Sequence, residues 1–231
     1  MFLITAVVAA GYAQNVRLNA YGSYVFDDQV DNGYSANTAG YFNGTVKGGF
    51  LWGAGLEYRL HEYYGLELIY QRLDTHAPVD YYPWSGWSGN TPKSGSVDLG
   101  VNYIMVGGAR SMGHPGAKTE PYGGFMLGMA IVDANFHPKV TTESSTSNSF
   151  TKFAWGLRLG TNIWASDRVG IKLQTQLLSI PQGAGGGIYI GTGGMGAGVS
   201  TYSTILQFVL GGGLTFKLGG HTAPKTTAPT N

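Results

Sequence analysis

The chain has 231 residues, among them 38 Gly and 15 Tyr, with 12% charged residues, 13% aromatics and a formal net charge of +1; ordinary domains carry about 25% charged residues and about 7% Gly. This excludes a disordered chain, which needs many charges and few aromatics, a collagen, which needs a strict glycine period, and a nucleic-acid binder, whose footprint is basic. The absence of Cys excludes a disulfide framework, thiol catalysis and cysteine-ligated metal.

Residues 1–13 (MFLITAVVAAGYA) form an apolar run that closes in small residues. This reads as a secretory signal cleaved after Ala13, without the basic start such signals carry, and so as a signal remnant. A buried first strand is the other reading of the same residues. After Ala13 there is no run of about 18 apolar residues, so no transmembrane helix is expected.

From residue 16 onward, apolar and polar residues alternate with period two, as strands with unlike faces do. Residues 16–27 set Val16, Leu18, Ala20, Gly22, Tyr24 and Phe26 against Arg17, Asn19, Tyr21 and Ser23. In residues 49–61, Phe50, Trp52, Ala54, Leu56, Tyr58 and Leu60 oppose Gly53, Gly55, Glu57, Arg59 and His61. Residues 64–71 place Tyr64, Leu66, Leu68 and Tyr70 against Glu67 and Gln71. In residues 97–110, Val97, Leu99, Val101, Tyr103 and Met105 oppose Asp98, Asn102 and Arg110. Residues 122–132 are broken by glycine but keep Phe125, Leu127, Met129 and Ile131 on one face. Residues 152–165 set Phe153, Trp155, Leu157, Leu159 and Ile163 against Arg158 and Asn162. Residues 169–178 set Val169, Ile171, Leu173 and Leu177 against Lys172, Gln174 and Gln176. The last segment, 201–218, sets Tyr202, Leu206, Phe208, Leu210, Leu214 and Phe216 against Ser203, Gln207 and Lys217.

Eight strands result, most of them long enough for the roughly 9–11 residues of a tilted span. Short connections near 61–64, 111–119 and 165–168 alternate with long ones at 28–48, 74–96, 134–151 and 179–200. Strict alternation gathers every long connection at one end, the pattern of short periplasmic turns and long external loops. The fold class predicted is all-β: an eight-stranded antiparallel up-and-down transmembrane β-barrel over residues 15–218.

A soluble eight-stranded barrel alternates too, with its apolar face inward. Three features place the apolar face outward. Arg17, Glu57, Arg59, Glu67, Asp98, Arg110, Arg158, Lys172 and Lys217 all fall on the polar phase, and Arg72, at a strand end, is the main exception. A Lys or Arg at the bilayer midplane costs about 2–4 kcal/mol, which accounts for such strictness. The polar phase is also rich in Gly and in both signs of charge, which can pair inside a narrow barrel. Finally, Tyr24, Phe26, Tyr58, Tyr64, Tyr70, Tyr103, Tyr202 and Phe216 gather toward the ends of the apolar phase, as girdles do, with Trp52 and Trp155 deeper.

The end of the last strand, Gly211-Gly-Gly-Leu214-Thr-Phe216, resembles the signal by which the outer-membrane assembly machinery recognises a closing strand. Residues 219–231 (GGHTAPKTTAPTN) are expected as a flexible Thr/Pro-rich periplasmic tail, similar to the hinge that follows OmpA-type barrels. From strand count, loop alternation and closing aromatic, residues 15–218 resemble the small outer-membrane barrels of OmpA, OmpX and OmpW type. The resemblance implies the outer membrane of a Gram-negative bacterium. It also implies lipid and lipopolysaccharide as neighbours and the assembly machinery as a partner. It leaves function open, because fold does not fix function.

Several constellations are candidates for chemistry. Glu57, Arg59 and Glu67 lie on the polar phase of neighbouring strands, and Arg17, Asp98, Arg110, Arg158 and Lys172 extend them into an interior ion network. Paired as buried charges must be, these groups read as a plug more readily than as an ion path. The aromatic loop 80–89, with Tyr81, Tyr82, Trp84 and Trp87, suits protein or sugar recognition, and Tyr189 stands in the glycine-rich segment 183–198. There Gly191, Gly193 and Gly196 match G-x-G-x-x-G, but a strand rather than a helix follows, so no dinucleotide site is expected. A glycine-rich wall extension around Ile188–Ile190, or a partner-binding hairpin, is the alternative.

Asp27, Asp28, Asp31 and Asn32 lack the spacing of a calcium loop. The five His show no zinc spacing. His76 with Asp80, Ser85 and Ser88 is the only cluster resembling the rim of a lipid-modifying enzyme. No cofactor is expected. The leading functional expectation is a non-enzymatic barrel anchoring external loops for structural, adhesion or envelope-partner contacts. A small OmpW-like channel for ions or apolar solutes stands second, favoured by interior glycine and opposed by paired charge. A rim-sited lipid enzyme stands third.

Overall fold

The structure, a computed structural model, describes residues 15–30, 42–81, 93–138, 146–181, 187–191, 194–198 and 205–219. In chain order the strands are β1 (Val16–Val25), β2 (Asp28–Val30), β3 (Phe42–Val46), β4 (Gly49–Arg59), β5 (Tyr64–Tyr81) and β6 (Lys93–Ser111). They continue with β7 (Thr119–Pro138), β8 (Thr146–Trp164), β9 (Val169–Ile180), β10 (Gly187–Gly191), β11 (Gly194–Gly198) and β12 (Ile205–Lys217). The signal remnant and most of the tail lie outside the described residues.

Eight strands close into a barrel. β1, β4, β5, β6, β7, β8, β9 and β12 each pair antiparallel with the next, and β12 returns to β1 with Lys217 opposite Arg17. Followed round the wall, the hydrogen-bonded row runs Lys217, Arg17, Glu57, Glu67, Gly107, Met126, Gly156 and Leu178. It re-enters β12 at Gln207, ten residues from where it began. This stagger is the shear that tilts the strands and sets the narrow bore of an eight-stranded barrel.

The three short connections lie at one end. In residues 112–118 the chain reverses through Gly116, whose φ of 77° suits glycine, and Met112 N–H donates to the Pro121 carbonyl at 2.8 Å. In residues 165–168 Ser166 Oγ accepts from Val169 N–H at 3.1 Å.

Toward the other end, β2 prolongs β1 and β3 precedes β4 across a shared break. Asp27 accepts from Gly48 N–H at 2.6 Å and pairs with Lys47 Nζ at 3.2 Å. A Cβ at Gly48 would run into the Val25 carbonyl, so the close approach needs glycine. The Gly48 amide, and after it the Lys47 ammonium, hold the Asp27 carboxyl below the usual carboxylate range.

The outer wall is apolar. Phe50 is 62% exposed, Leu68 56% and Phe208 48%, with Leu56, Leu66, Val106, Leu127, Leu157, Leu173 and Leu210 exposed beside them. A soluble barrel would carry charge there; this surface fits lipid. No helix among the described residues is long and apolar enough to cross a membrane.

Two strand-level expectations are corrected. First, β5, β6, β7 and β8 have 18, 19, 20 and 19 residues, against 10 to 13 for β1, β4, β9 and β12. Much of the expected long loops at 74–96 and 134–151 is therefore strand. Alternation hides this because the apolar phase changes face along the strand. Leu66 and Leu68 point outward on β5, whereas Leu73 and Ala77 are buried and Asp74 and His76 are outside. Beyond the lipid, the outer face meets water while the inner face still packs.

Second, β6 has the opposite phase to the one expected. Val97, Val101, Tyr103 and Met105 are buried inside, and Ile104 and Val106 face lipid. Asp98 and Arg110 are therefore on the outer wall and are not part of an interior network. β10 and β11 pair as a separate two-stranded sheet, with Tyr189 opposite Gly196. A strand follows Gly193, where a dinucleotide site would need a helix.

Candidate functional site

The candidate site is the barrel interior, which alternation fills from every strand. Its half nearer the short turns is polar. Glu67 on β5 is fully buried and pairs with Arg158 on β8. Glu67 also accepts from Asn19 Nδ2 at 2.7 Å and from the Tyr21 hydroxyl.

Glu57 on β4 stands among cations: Arg59 Nη1 at 3.4 Å, Arg17 Nη1 at 3.9 Å and Lys172 Nζ at 3.9 Å. Arg17 forms a closer bond with Glu120 on β7, at 3.1 Å. Four cations thus face three carboxylates. Aromatic faces take up part of the excess: Lys172 Nζ lies 4.8 Å from the Tyr122 ring centre, Arg17 4.9 Å from Trp164 and Lys217 Nζ 3.7 Å from Trp164. Tyr122 in turn donates to Gln174 Oε1 at 3.0 Å.

Interior glycines make room for these groups. A Cβ at Gly55 would strike the Glu67 carboxylate, one at Gly65 would sit 2.8 Å from Glu57 Oε1, and one at Gly107 3.2 Å from Arg158 Nη2. Glycine on the interior phase, read from sequence as mild support for an open lumen, is here space that charged side chains occupy.

The half nearer the long connections is apolar. Val25, Leu51, Leu73, Tyr103, Met105, Met126, Leu178 and Val209 form one buried cluster, with Leu99 and Phe150 against it. Tyr103, expected in a lipid-facing girdle, is inside and donates to Gln207 Oε1 at 2.8 Å. A buried hydroxyl needs such a partner.

Of the sequence-predicted interior residues, Arg17, Glu57, Arg59, Glu67, Arg158 and Lys172 come together. Arg110 instead reaches over the Tyr64 ring, 5.8 Å from its centre, at the short-turn edge of the apolar band. Its long stem lets the charge reach the interface from a lipid-facing position. Asp98 lies beyond the apolar band on β6, 3.4 Å from His137 Nε2. Sequence reasoning missed Glu120, Asn19, Tyr21, Tyr122 and Trp164. For Glu120 the signal was its even-numbered phase, shared with Tyr122, but the expected strand began two residues too late.

Tyr81 ends β5 and Tyr189 lies in β10; Tyr82, Trp84 and Trp87 lie outside the described residues. So do Asp31, Asn32, Ser85 and Ser88, and with them half of the acidic-loop and rim-enzyme candidates. His76 is exposed on the outer face opposite Asp98. Among the described residues, no three of His, Cys, Asp or Glu are grouped to hold a metal ion.

No family model and no curated protein sequence matches this chain. Solved structures do. Neisserial surface protein A (NspA) is similar with a TM-score of 0.52 at 14% identity, over 88% of this chain and 97% of that one. The outer membrane protein OprG from Pseudomonas aeruginosa gives 0.54 at 14% identity, over 89% and 96%. At such identity the likeness is one of fold. With its apolar outer wall, closed eight-stranded sheet and one-ended short turns, the chain has the fold of the small eight-stranded outer-membrane β-barrels.

Proposed function

We propose that this protein is a non-enzymatic anchor. Its barrel fixes an external extension at the cell surface for structural, adhesion or partner contacts. The observation that supports this reading is the length of β5–β8, which continue past the lipid-facing band, over a bore lined by paired charges and buried side chains. Charge pairs and π faces line the periplasmic half, and a buried cluster that is mainly apolar, with Gln71, Gln176 and Gln207 among it, lines the outer half. A mainly apolar layer of this kind offers an ion little solvation, and dehydrating an ion costs several kcal/mol. The extension carries Asp98, Asn135 and His137 on its outer face, above the lipid and open to a protein or sugar partner. The partners of this reading are outer-membrane lipid including lipopolysaccharide, the assembly machinery, and an envelope or surface protein held at the extension.

A photo-crosslinking residue at position 135, on the extension, tests this in whole cells. Position 127, on the lipid-facing part of the same strand, is the control. Protein adducts from 135 with only lipid adducts from 127 are the expected outcome. Lipid alone at both positions, or no protein adduct from 135, contradicts the reading.

A further inference from the structure

Arg72, at the end of a predicted strand, is the main charge that the sequence pattern leaves on the lipid-facing phase, and its side chain is held by several neighbours. On β5 it follows Leu66, Leu68 and Tyr70 on the outer wall, and on β6 its register partner is Asn102, next to lipid-facing Ile104. Past it the outer wall turns polar with Asp74, His76 and Asp98. The side chain therefore stands at the depth where acyl chains give way to headgroups.

A guanidinium there could simply reach into water. This one is held. Arg72 Nε donates to both oxygens of Asp74 at 3.1 Å, and Nη2 donates to Asp74 Oδ1 at 2.8 Å. Nη1 donates to Asn102 Oδ1 at 3.2 Å, and the Tyr70 hydroxyl donates to the same oxygen at 2.9 Å. The two donors fix the Asn102 amide with its Nδ2 group left as a donor. The Arg72 side chain is about one-third exposed, so its terminal nitrogens face outward. A Cβ at Gly100 would stand 3.2 Å from Arg72 Nη2, so glycine keeps that side of the fork open. Tyr70 packs edge-on against Trp52, their ring centres 6.1 Å apart, and stiffens the floor of the cluster.

We propose that Arg72, Asn102 and Asp74 form a headgroup site for a phosphorylated glycolipid of the outer leaflet. A planar guanidinium beside an amide donor suits a phosphate group, for which Arg is favoured over Lys. The carboxylate of Asp74, about 60% exposed, accepts from sugar hydroxyls. A headgroup that presents phosphate and hydroxyls together satisfies both halves of the cluster, and the depth on the wall selects a lipid over a free solute. The inference rests on the outer-membrane placement of the proposed function and gives its lipid partner a site.

Native mass spectrometry tests the site, with the full chain released from micelles. The probe is a bisphosphorylated glucosamine-disaccharide lipid. Its dephosphorylated form and phosphatidylglycerol serve as comparisons. The wild type is expected to retain the bisphosphorylated lipid, and Arg72→Gln and Asn102→Leu to lose roughly tenfold in retention, the scale of one charge-assisted contact. Arg72→Lys keeps the charge without the fork and should fall between. The heat-dependent gel shift of a closed barrel confirms that each variant is folded. Equal retention by wild type and Arg72→Gln overturns the site. Equal retention of phosphatidylglycerol by the wild type overturns its assignment to a glycolipid.

Discussion

At the scale of single residues, Glu67 is the centre of the polar interior. It is buried with Arg158, Asn19 and Tyr21 around it. Removing one member of a buried ion pair strands the other, at a cost of about 3–5 kcal/mol. Glu67→Ala should lower stability by that order in urea titrations of the lipid-embedded protein. Gly55→Ala should cost about 1–3 kcal/mol by overpacking against the same carboxylate. The two losses should not add, because the methyl group introduced by Gly55→Ala fits once the Glu67 side chain is gone. Additive losses would mean that Gly55 does not make room for Glu67.

Asp27 gives a pH prediction. Its folded pKa is depressed by the Gly48 amide and Lys47. The junction between β1–β2 and β3–β4 is therefore stabilised above the ordinary carboxylate pKa of about 3.9, and that stabilisation is lost as pH falls through the lower folded value. Amide exchange at Gly48 should accelerate, relative to that of strand amides, in that acid window. Asp27→Asn should remove the acid-dependent step. A pH-independent Gly48 would contradict the assignment.

At the scale of strands, the outer wall divides by depth. Leu68→Arg on β5 and Phe208→Arg on β12 should each cost about 2–4 kcal/mol in folding into bilayers. Asn135→Arg, on the same outward phase but beyond the lipid, should change stability little. Equal losses at all three would misplace the membrane. Depth also decides what the sequence could reveal. Glu57, Arg59, Glu67, Arg158 and Lys172 were legible as interior because a charge cannot face the mid-bilayer, so their phase fixed the inside of four strands.

β6 has no charge at mid-span to fix its phase. Val101, Tyr103 and Met105 look as lipid-facing as Ile104 and Val106, and Asp98 and Arg110 lie near its ends, where outward charge is tolerated. The error followed from treating all polar residues as interior. The lengths of β5–β8 were hidden for a related reason: beyond the lipid the apolar phase moves to the inner face, so the pattern breaks at Leu73 although the strand continues. Uncharged partners such as Asn19 and Tyr21 were within a correctly read strand, yet nothing in the spacing links them to Glu67 48 and 46 residues away.

At the scale of the whole molecule, the two halves of the bore do different work. Paired charges, π faces and glycine clearances line the periplasmic half, while mainly apolar side chains line the outer half. In the proposed reading, the projecting β5–β8 wall carries the surface that meets the outside. The fold was legible from alternation and loop lengths. Whether the bore is filled or open depends on which groups meet across the lumen, and alternation along single strands says nothing of this.

Single-channel recording in a planar bilayer reads whether the bore is closed. Protein folded from detergent, its closure confirmed by the heat-dependent gel shift, should leave the membrane silent, with no reproducible step at physiological voltage. A steady, reproducible conductance that changes with Glu67→Ala would contradict the account and make the interior a path rather than a plug.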